Sequence, residues 1–374
     1  MANNNKHTGP NVPALRFPEF SGEWEQCQIK DFGKVITGST PPTSKTEYYD
    51  NGVFLWASPA DLGNVKDVIS TKTKLSQQGF DKCRKIPAHS ILVTCIGSTI
   101  GKMGMATTEM ATNQQINSII PIDCNPDYVY YSIQSRFPKY ITSIATQAVP
   151  ILSKSVFESL DSYKTSIEEQ NKIGKLLHLL DERIDAQSKI IEEQETLLRS
   201  LRHKLFNQCL DSHTQCRIGD ILSIGSGKDY QHLREGEIPV YGTGGLISHV
   251  NESLYDGESV CIGRKGTINK PLYLSGRFWT VDTLFYTHSF NGILPRFCYH
   301  LFCTIDWLTY NEASGVPSLS KSTIEKILVS IPQIDIQKRI VQILDSIEGK
   351  INIDRNTLLD YQKQKNYLLS RMFI

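Results

Sequence analysis

Two tracts of the chain carry the side chains that neutralise phosphate. From Lys66 to Lys102 the sequence places Lys66, Lys72, Lys74, Lys82, Arg84, Lys85 and Lys102 against only Asp67 and Asp81. From Ser259 to Val281 it places Arg264, Lys265, Lys270 and Arg277 with no acid at all. A single run of lysines is usually a solvated face, but these two overlap when the halves of the chain are aligned, and recurrence at an equivalent place fits contact with a polyanion such as duplex DNA. Small polar residues on expected loops surround the charges: Ser98 and Thr99 beside Lys102, and Thr267 and Asn269 between Lys265 and Lys270. Glycines at 97, 101, 263 and 266 are expected to let backbone approach the duplex. Two further loops, Ser39-Thr40 with Lys45 through Ser58, and Tyr241-Gly242-Thr243, are nominated as well, although turn chemistry and core edge account for them equally. The candidate DNA contacts are thus Lys45, Ser58, Lys72, Lys74, Lys82, Arg84, Lys85, Ser98, Thr99 and Lys102, then Tyr241, Thr243, Arg264, Lys265, Thr267, Asn269 and Lys270. Arg suits bidentate contact with guanine and Asn or Gln with adenine, which makes Arg264, Asn269 and Gln114 or Gln115 candidate base readers. For the two glutamines a buried structural hydrogen bond is an equal alternative.

Catalytic motifs fall short where they are sought. Gly97-Ser98-Thr99-Ile100-Gly101-Lys102-Met103 has one residue too few for a phosphate-binding loop and Met where Ser or Thr would hold magnesium. Gly242-Thr243-Gly244-Gly245 lacks the full dinucleotide fingerprint. The only Pro-Pro, in Thr40-Pro41-Pro42-Thr43, reads as a turn or extended loop. Nine scattered cysteines form no metal-spaced pair, and Cys298, His300 and Cys303 lack a second ligand pair, so no metal site is expected and the thiols are read as reduced. The chain is expected not to be an enzyme.

The elements that must position the basic loops come from an internal repeat. Val149-Pro150-Ile151-Leu152-Ser153-Lys154-Ser155 recurs 167 residues later as Val316-Pro317-Ser318-Leu319-Ser320-Lys321-Ser322. The same offset carries Gln170 to Gln337, Leu177 to Leu344 and Phe206 to Phe373. Upstream the match weakens, with Asp31 and Gly38 pairing with Asp220 and Gly227. Within the repeated tails, Ile173, Leu177, Leu180, Ile184, Ile191, Leu198, Leu201 and Leu205 step by threes and fours, with Gln187 and Gln194 in the same seam. The second copy gives Ile340, Leu344, Ile347, Ile351, Leu358 and Leu368, with Asp354, Tyr361, Lys365 and Met372. This is the apolar seam of a coiled coil and predicts two long helices. Polar seam residues either fix register or are solvated where helices diverge.

The expected order is a domain over 1–165, a spacer helix over 166–212, a second domain over 213–332 and a second helix over 333–374. The domains read as mixed α/β, with strands near Ser90–Ile96 and Ser259–Ile262 and packing helices over Asp127–Tyr140 and Leu294–Tyr310. Because each helix must leave one domain and reach the other, the helices are expected to pack antiparallel, with the domains in a pseudo-twofold tandem arrangement. A composition of 40% hydrophobic and 21% charged residues is that of folded globular chains, and a formal net charge of +1 neither announces nor excludes a polyanionic partner. The polar N-terminus and the lack of a long apolar run imply a soluble, cytoplasmic protein without membrane contact.

That order of parts resembles the specificity subunit of type I restriction-modification systems. Val12-Pro13-Ala14-Leu15-Arg16-Phe17-Pro18-Glu19-Phe20 with Gly22-Glu23-Trp24-Glu25 is similar to the family's N-terminal run, and Asn113-Gln114-Gln115-Ile116-Asn117 to its domain-interior signature. The stretch from Gln170 to Ile184, repeated from Gln337 to Ile351, is similar to the start of its spacer helices. The resemblance covers the chain beyond Lys6. It implies two domains that each read half of a split DNA site, helices that set the gap and dock two modification subunits, and restriction subunits in the same complex. It also implies that S-adenosylmethionine and ATP belong to those partners, with no cofactor on this chain. Two other classes stand beside it. A coiled-coil scaffold without DNA binding would show neutral surfaces at both basic tracts, and a single-chain methyltransferase or nuclease would bind S-adenosylmethionine or metal by itself.

Overall fold

The structure, a computed structural model, describes residues 11–63, 65–144, 151–208 and 214–374. Val149 and Pro150 of the repeated motif, Cys209 and the N-terminal ten residues lie outside these. The chain forms two compact units, Met1–Ser188 with Asn356–Ile374 and Lys189–Arg355. The division differs from the expected linear one because each unit combines a domain with parts of both long helices.

In the first unit a five-stranded sheet runs in the order Gly33–Thr37, Ile116–Pro121, Ile91–Thr94, Met103–Ala106, Asp67–Val68. Ile91–Thr94 is buried along its whole length, as expected of an apolar strand with neighbours on both sides. A second, four-stranded sheet has the order Thr73–Leu75, Phe54–Ala57, Met110–Thr112, Lys85–Ile86, with only its central pair parallel. A ribbon of Glu25–Gln28 with Asp161–Lys164 ties the start of the domain to the strand before the long helix.

The second unit repeats this plan except for the short edge strand Asp67–Val68, which has no counterpart among its described strands. Ser223–Ser226, Leu284–His288, Ser259–Gly263 and Leu272–Leu274 form one sheet, and Gly245–Val250, Ile238–Gly242, Arg277–Thr280 and Tyr255–Asp256 form the other, again with a parallel central pair. Thr214–Arg217 with Leu328–Ile331 is the matching ribbon. The shared topology survives where the sequence match fades, because alternation and burial specify a strand pairing without specifying particular side chains.

The repeated residues keep the same work in both copies. Gln170 accepts a hydrogen bond from the Asn125 amide at 3.0 Å and donates to the Thr165 carbonyl at 2.7 Å. Gln337 accepts from Leu294 at 2.8 Å and donates to Pro332 at 2.9 Å. Each therefore clamps the start of a long helix to the start of the packing helix, and both are buried. Ser153 and Ser320 cap the short helices Lys154–Glu158 and Lys321–Lys326.

The packing helix of the first unit spans Pro126–Ile144, slightly longer than expected. Its counterpart is shorter than expected: Pro295–Phe302 ends before a 3-10 turn, Trp307–Tyr310. The Trp307 indole donates to the Phe302 carbonyl at 2.9 Å and folds the chain back there.

The long helices are Ile167–Gln208 and Ile334–Met372. They run antiparallel within each unit, as the pairs Asp181 with Lys365 and Arg202 with Glu348 require. Every seam position is buried or half-buried. Gly174 has a packing reason, since a Cβ there would meet Asn125 Oδ1 at 2.5 Å, whereas Gly349 faces open space. The last residues close the first unit: Phe373 packs 6.2 Å from Trp24 and 5.6 Å from Tyr128, in the core that also holds Leu369 and Met372. In the second unit Phe206, the repeat partner of Phe373, packs 4.9 Å from Phe297.

Candidate nucleic-acid interface

Equivalent loops converge in each unit. In the first, the chain leaving Gly33–Thr37 is fastened by Ser39 N–H to the Thr112 carbonyl at 2.8 Å, and the chain leaving Met110–Thr112 by Asn113 N–H to the Ala57 carbonyl at 2.8 Å. In the second, Lys228 N–H bonds Thr280 at 2.9 Å and Val281 N–H bonds Tyr241 at 3.0 Å. Gly38 and Gly227 permit these contacts, since a Cβ at either would lie 2.3 Å or less from a backbone oxygen.

The repeated motif after the packing helix holds a hairpin loop against this cluster. Ile151 bridges Ile96 and the Leu152 amide bonds the Cys95 carbonyl at 2.8 Å; in the second unit Ser318 bridges Lys265 and the Leu319 amide bonds the Arg264 carbonyl at 2.9 Å. The Arg264 amide also bonds the Thr283 carbonyl at 2.7 Å, so its backbone is pinned on both sides while its side chain is exposed. Arg264 and Lys265 share a pocket of about 420 Å³ with Lys321 and Glu312. Hydrogen bonds from Thr323 and Ser320 hold the Glu312 carboxyl below its usual range, so it remains charged. Lys321 was not among the sequence nominees; its recurrence in the repeated motif as the partner of Lys154 was the available signal.

The nominated residues separate by place. Arg264, Lys265, Thr267, Asn269 and Lys270 lie on one hairpin, with Asn269 and Lys270 exposed, and Thr243 is its neighbour across Gly266. Tyr241 is the penultimate residue of the strand Ile238–Gly242 that leads to Thr243. In the first unit Ser98 is exposed and Thr99 half-buried on the corresponding hairpin. Arg84 joins the loop cluster through its amide, which bonds Ser39 Oγ at 3.0 Å. Lys82 and Arg84 are exposed and make no ion pair among the described residues. Lys85, on the edge strand of the small sheet, bonds Asp81 at 2.7 Å, which lowers the carboxyl pKa and raises that of the lysine. Lys72 and Lys74 are exposed at the opposite edge, and Lys45 lies over the Tyr48 ring.

Other nominees are committed elsewhere. The Ser58 hydroxyl bonds Asp61 at 2.7 Å as part of a helix cap. Lys102 packs under Gly63 and lines a 560 Å³ basin with Asp181 and Lys365 of the long helices. Lys66 of the first basic tract is buried, 2.6 Å from both Asp127 and His178, and is withdrawn from any phosphate contact. Two of the four glycines serve the fold rather than an approach to DNA: a Cβ at Gly101 would strike Phe137 at 2.6 Å, and one at Gly263 the Thr267 carbonyl at 2.2 Å.

The chemistry sought from motifs is redirected by the same geometry. Residues 97–103 turn between two strands, and Thr243-Gly244 is a hairpin turn, so neither loop opens a phosphate-binding helix. Burial pushes the Cys298 thiol up, and among the described residues all cysteines are free. His300, Asp345 and Glu348 cluster tightly enough to hold an ion. Arg296 binds both carboxylates at 2.8 and 2.5 Å, and Arg202 bonds His300 and Glu348 at 3.2 and 3.1 Å. These guanidiniums supply the positive charge a cation would bring. Among the described residues no helix is long and apolar enough to cross a membrane.

The family model of the type I restriction modification DNA specificity domain matches twice, at residues 21–196 and 213–360. The chain belongs to this specificity family. Each match takes in one domain and most of its following helix, so the family's unit is the repeat read from the sequence. The MjaIX specificity subunit of Methanocaldococcus jannaschii is 25% identical, covering 94% of this chain and 92% of the relative. The HindI specificity subunit of Haemophilus influenzae is 35% identical over a shorter stretch, 39% of this chain and 32% of the relative. Among solved structures, the S subunit of a type I system from M. genitalium superposes with a TM-score of 0.70 at 18% identity, covering 97% of this chain and 99% of that one. The specificity-family fold is therefore shared end to end, two mixed α/β recognition domains and two long antiparallel helices.

Proposed function

We propose that this chain reads a split DNA site, one half with each recognition domain, and directs modification and restriction subunits to it. One observation carries the reading: the two units present the same converging loops on closely matching topology, yet with different side chains at equivalent positions, Cys95 and Ile96 in one against Arg264 and Lys265 in the other. A scaffold without DNA binding has no use for a duplicated loop cluster of divergent chemistry. On this reading two modification subunits dock along the helices, the chain itself performs no catalysis, and S-adenosylmethionine and ATP act on the partner subunits. Exposed Leu179, Ile190 and Leu197 on the first helix and Ile343 and Ile353 on the second offer apolar surface for such docking.

Methylome sequencing of a host that expresses the chain with its modification subunit tests the reading. Two short half-sites separated by a fixed unread gap are expected. Exchange of residues 213–332 for the matching domain of a relative should then change one half-site and leave the other intact. A continuous palindromic target would refute the two-reader arrangement.

A further inference from the structure

We infer that Gln114 reads an adenine in the half-site of the first recognition domain, and that Asn113 and Thr40 are positioning residues that set its amide. The inference rests on the function proposed above and assigns one of its base contacts. It starts from a donor whose identity is beyond question. The backbone N–H of Gln115 donates to Asn113 Oδ1 at 2.8 Å, which fixes the orientation of that amide and turns its Nδ2 toward Thr40 Oγ1, 3.4 Å away. The Thr40 oxygen accepts there, so its proton goes to Gln114 Oε1, the next atom in the chain of bonds. Gln114 is therefore held with its oxygen on the threonine and, among the described residues, its Nε2 donors unpartnered. Turning the Gln114 amide over would leave the Thr40 proton without an acceptor and forfeit a hydrogen bond.

Gln114 is exposed at the crest of the loop cluster, and its support is firm. The Ser39 carbonyl beside Thr40 accepts from the Trp56 indole at 3.0 Å, and the Pro41 carbonyl accepts from the Tyr49 hydroxyl at 2.7 Å. The neighbouring Gln115 faces the other way, donating to the Ile96 carbonyl at 3.4 Å, which separates the two glutamines into one reader and one strut. Seen from the major groove, adenine presents N7 as acceptor and N6 as donor. The oriented amide complements that pair: Nε2 donates to N7, and the second lone pair of Oε1 accepts from N6. Guanine offers two acceptors there and would set O6 against Oε1.

The second unit lacks this device. The positions equivalent to Asn113, Gln114 and Thr40 are Val281, Asp282 and Asp229, the first two placed by the matching bonds of Ile116 N–H to Asn113 and of Leu284 N–H to Val281, the third by those of Ser39 N–H to Thr112 and of Lys228 N–H to Thr280. The effect of altering Gln114 must then fall on one half-site alone.

The test uses the full chain assembled with its modification subunit, reading target preference by methylome sequencing and by competition binding to a randomised site. Gln114→Ala should relax one A·T position in one half-site by roughly tenfold to a hundredfold, leaving the gap, the other half-site and the salt dependence unchanged. Thr40→Val should relax the same position less, and Thr40→Ser should restore it. The intact second half-site reports that each variant is folded. Unchanged stringency in Gln114→Ala, relaxation at a G·C pair, or loss spread over both halves would overturn the assignment while leaving the two-reader function standing. A wild-type target without two halves would instead overturn the function on which the assignment rests.

Discussion

Asp181 on the first long helix and Lys365 on the second meet at 2.6 Å, and the same carboxylate accepts the Tyr131 hydroxyl at 2.7 Å. Lys365 stands at a seam position where an apolar residue would ordinarily pack. In the second unit the polar seam residues Gln194 and Asp354 pair at 2.9 Å, with Lys350 also on Asp354 at 2.8 Å. The polar seam residues Gln194, Asp354 and Lys365 thus meet partners across the helices, and register is written in them as well as in the leucines, whereas the buried Gln187 Nε2 has no hydrogen-bond partner among the described residues.

Removing one partner should be costly because both side chains of the Asp181–Lys365 pair are largely buried. Lys365→Met is expected to lower stability by about 3 kcal/mol, since it strands the carboxylate in the seam. Asp181→Asn combined with Lys365→Met should recover most of that loss, because the buried charge is gone. Thermal melts of the single and double variants check this, and an additive result would deny the coupling.

His300 provides a pH dependence. It is fully buried, its Nδ1 accepts from Arg202 at 3.2 Å, and its Nε2 donates to Asp345 at 2.8 Å, so the native state holds the neutral ring. Burial, with the Arg202 charge adding to it, pushes its pKa below the ordinary 6.5 despite the opposing Asp345. The unfolded chain therefore takes up a proton at higher pH than the folded one, and stability falls as pH drops below about 6.5 toward the depressed native value. His300→Gln keeps a donor and an acceptor but cannot titrate, so its melting temperature should decline less than that of the wild type between about pH 7 and pH 5. Parallel curves for the two proteins would remove His300 as the source.

The basic residues divide into those facing solvent and those spent on the fold, and salt dependence can tell them apart. Lys82→Gln and Arg84→Gln should weaken specific and nonspecific DNA binding alike and flatten the slope of log affinity against log salt by up to about one unit each. Lys102→Gln should leave the slope unchanged, since its side chain lies against Gly63 and the helix basin. A flattened slope for Lys102→Gln, or none for the other two, would reverse this division.

The sequence exposed what repeats and what alternates. Helix seams, the clamp residues Gln170 and Gln337, and the serine caps lie in a fixed 167-residue register, and each recurs because the same backbone group needs the same partner. The basic tracts were legible as charge but not as surface. Lys66 looks like its neighbours until the burial beside Asp127 and His178 is seen, because nothing local in sequence announces a partner 61 or 112 residues away. The link from Asn113 through Thr40 to Gln114 was hidden for the same reason, spanning 73 residues between loops that only the folded sheets bring together. Helix length was misjudged most after Phe302, where the Trp307 indole bonds back to the Phe302 carbonyl and ends a locally plausible continuation.

The helices should act as a ruler only when lengthened together. Asp181–Lys365 lies on one side of Gln187 and Gln194–Asp354 on the other, so four residues inserted near Gln187 alone would shift one pair out of register and damage assembly. Four residues inserted near Gln187 and four more near Tyr361 keep both pairs, add about 6 Å of rise and turn the seam by little more than one revolution. On B-DNA, 6 Å corresponds to slightly less than two base pairs at about 3.4 Å per step. The doubly lengthened chain, assembled with its modification subunits, should prefer a gap longer by one or two base pairs with both half-sites unchanged. Two residues in each helix instead would rotate the seam by about 200° and should prevent assembly. Methylome sequencing reads the gap directly, and a variant that assembles normally yet keeps the original spacing would show that the helices do not set it.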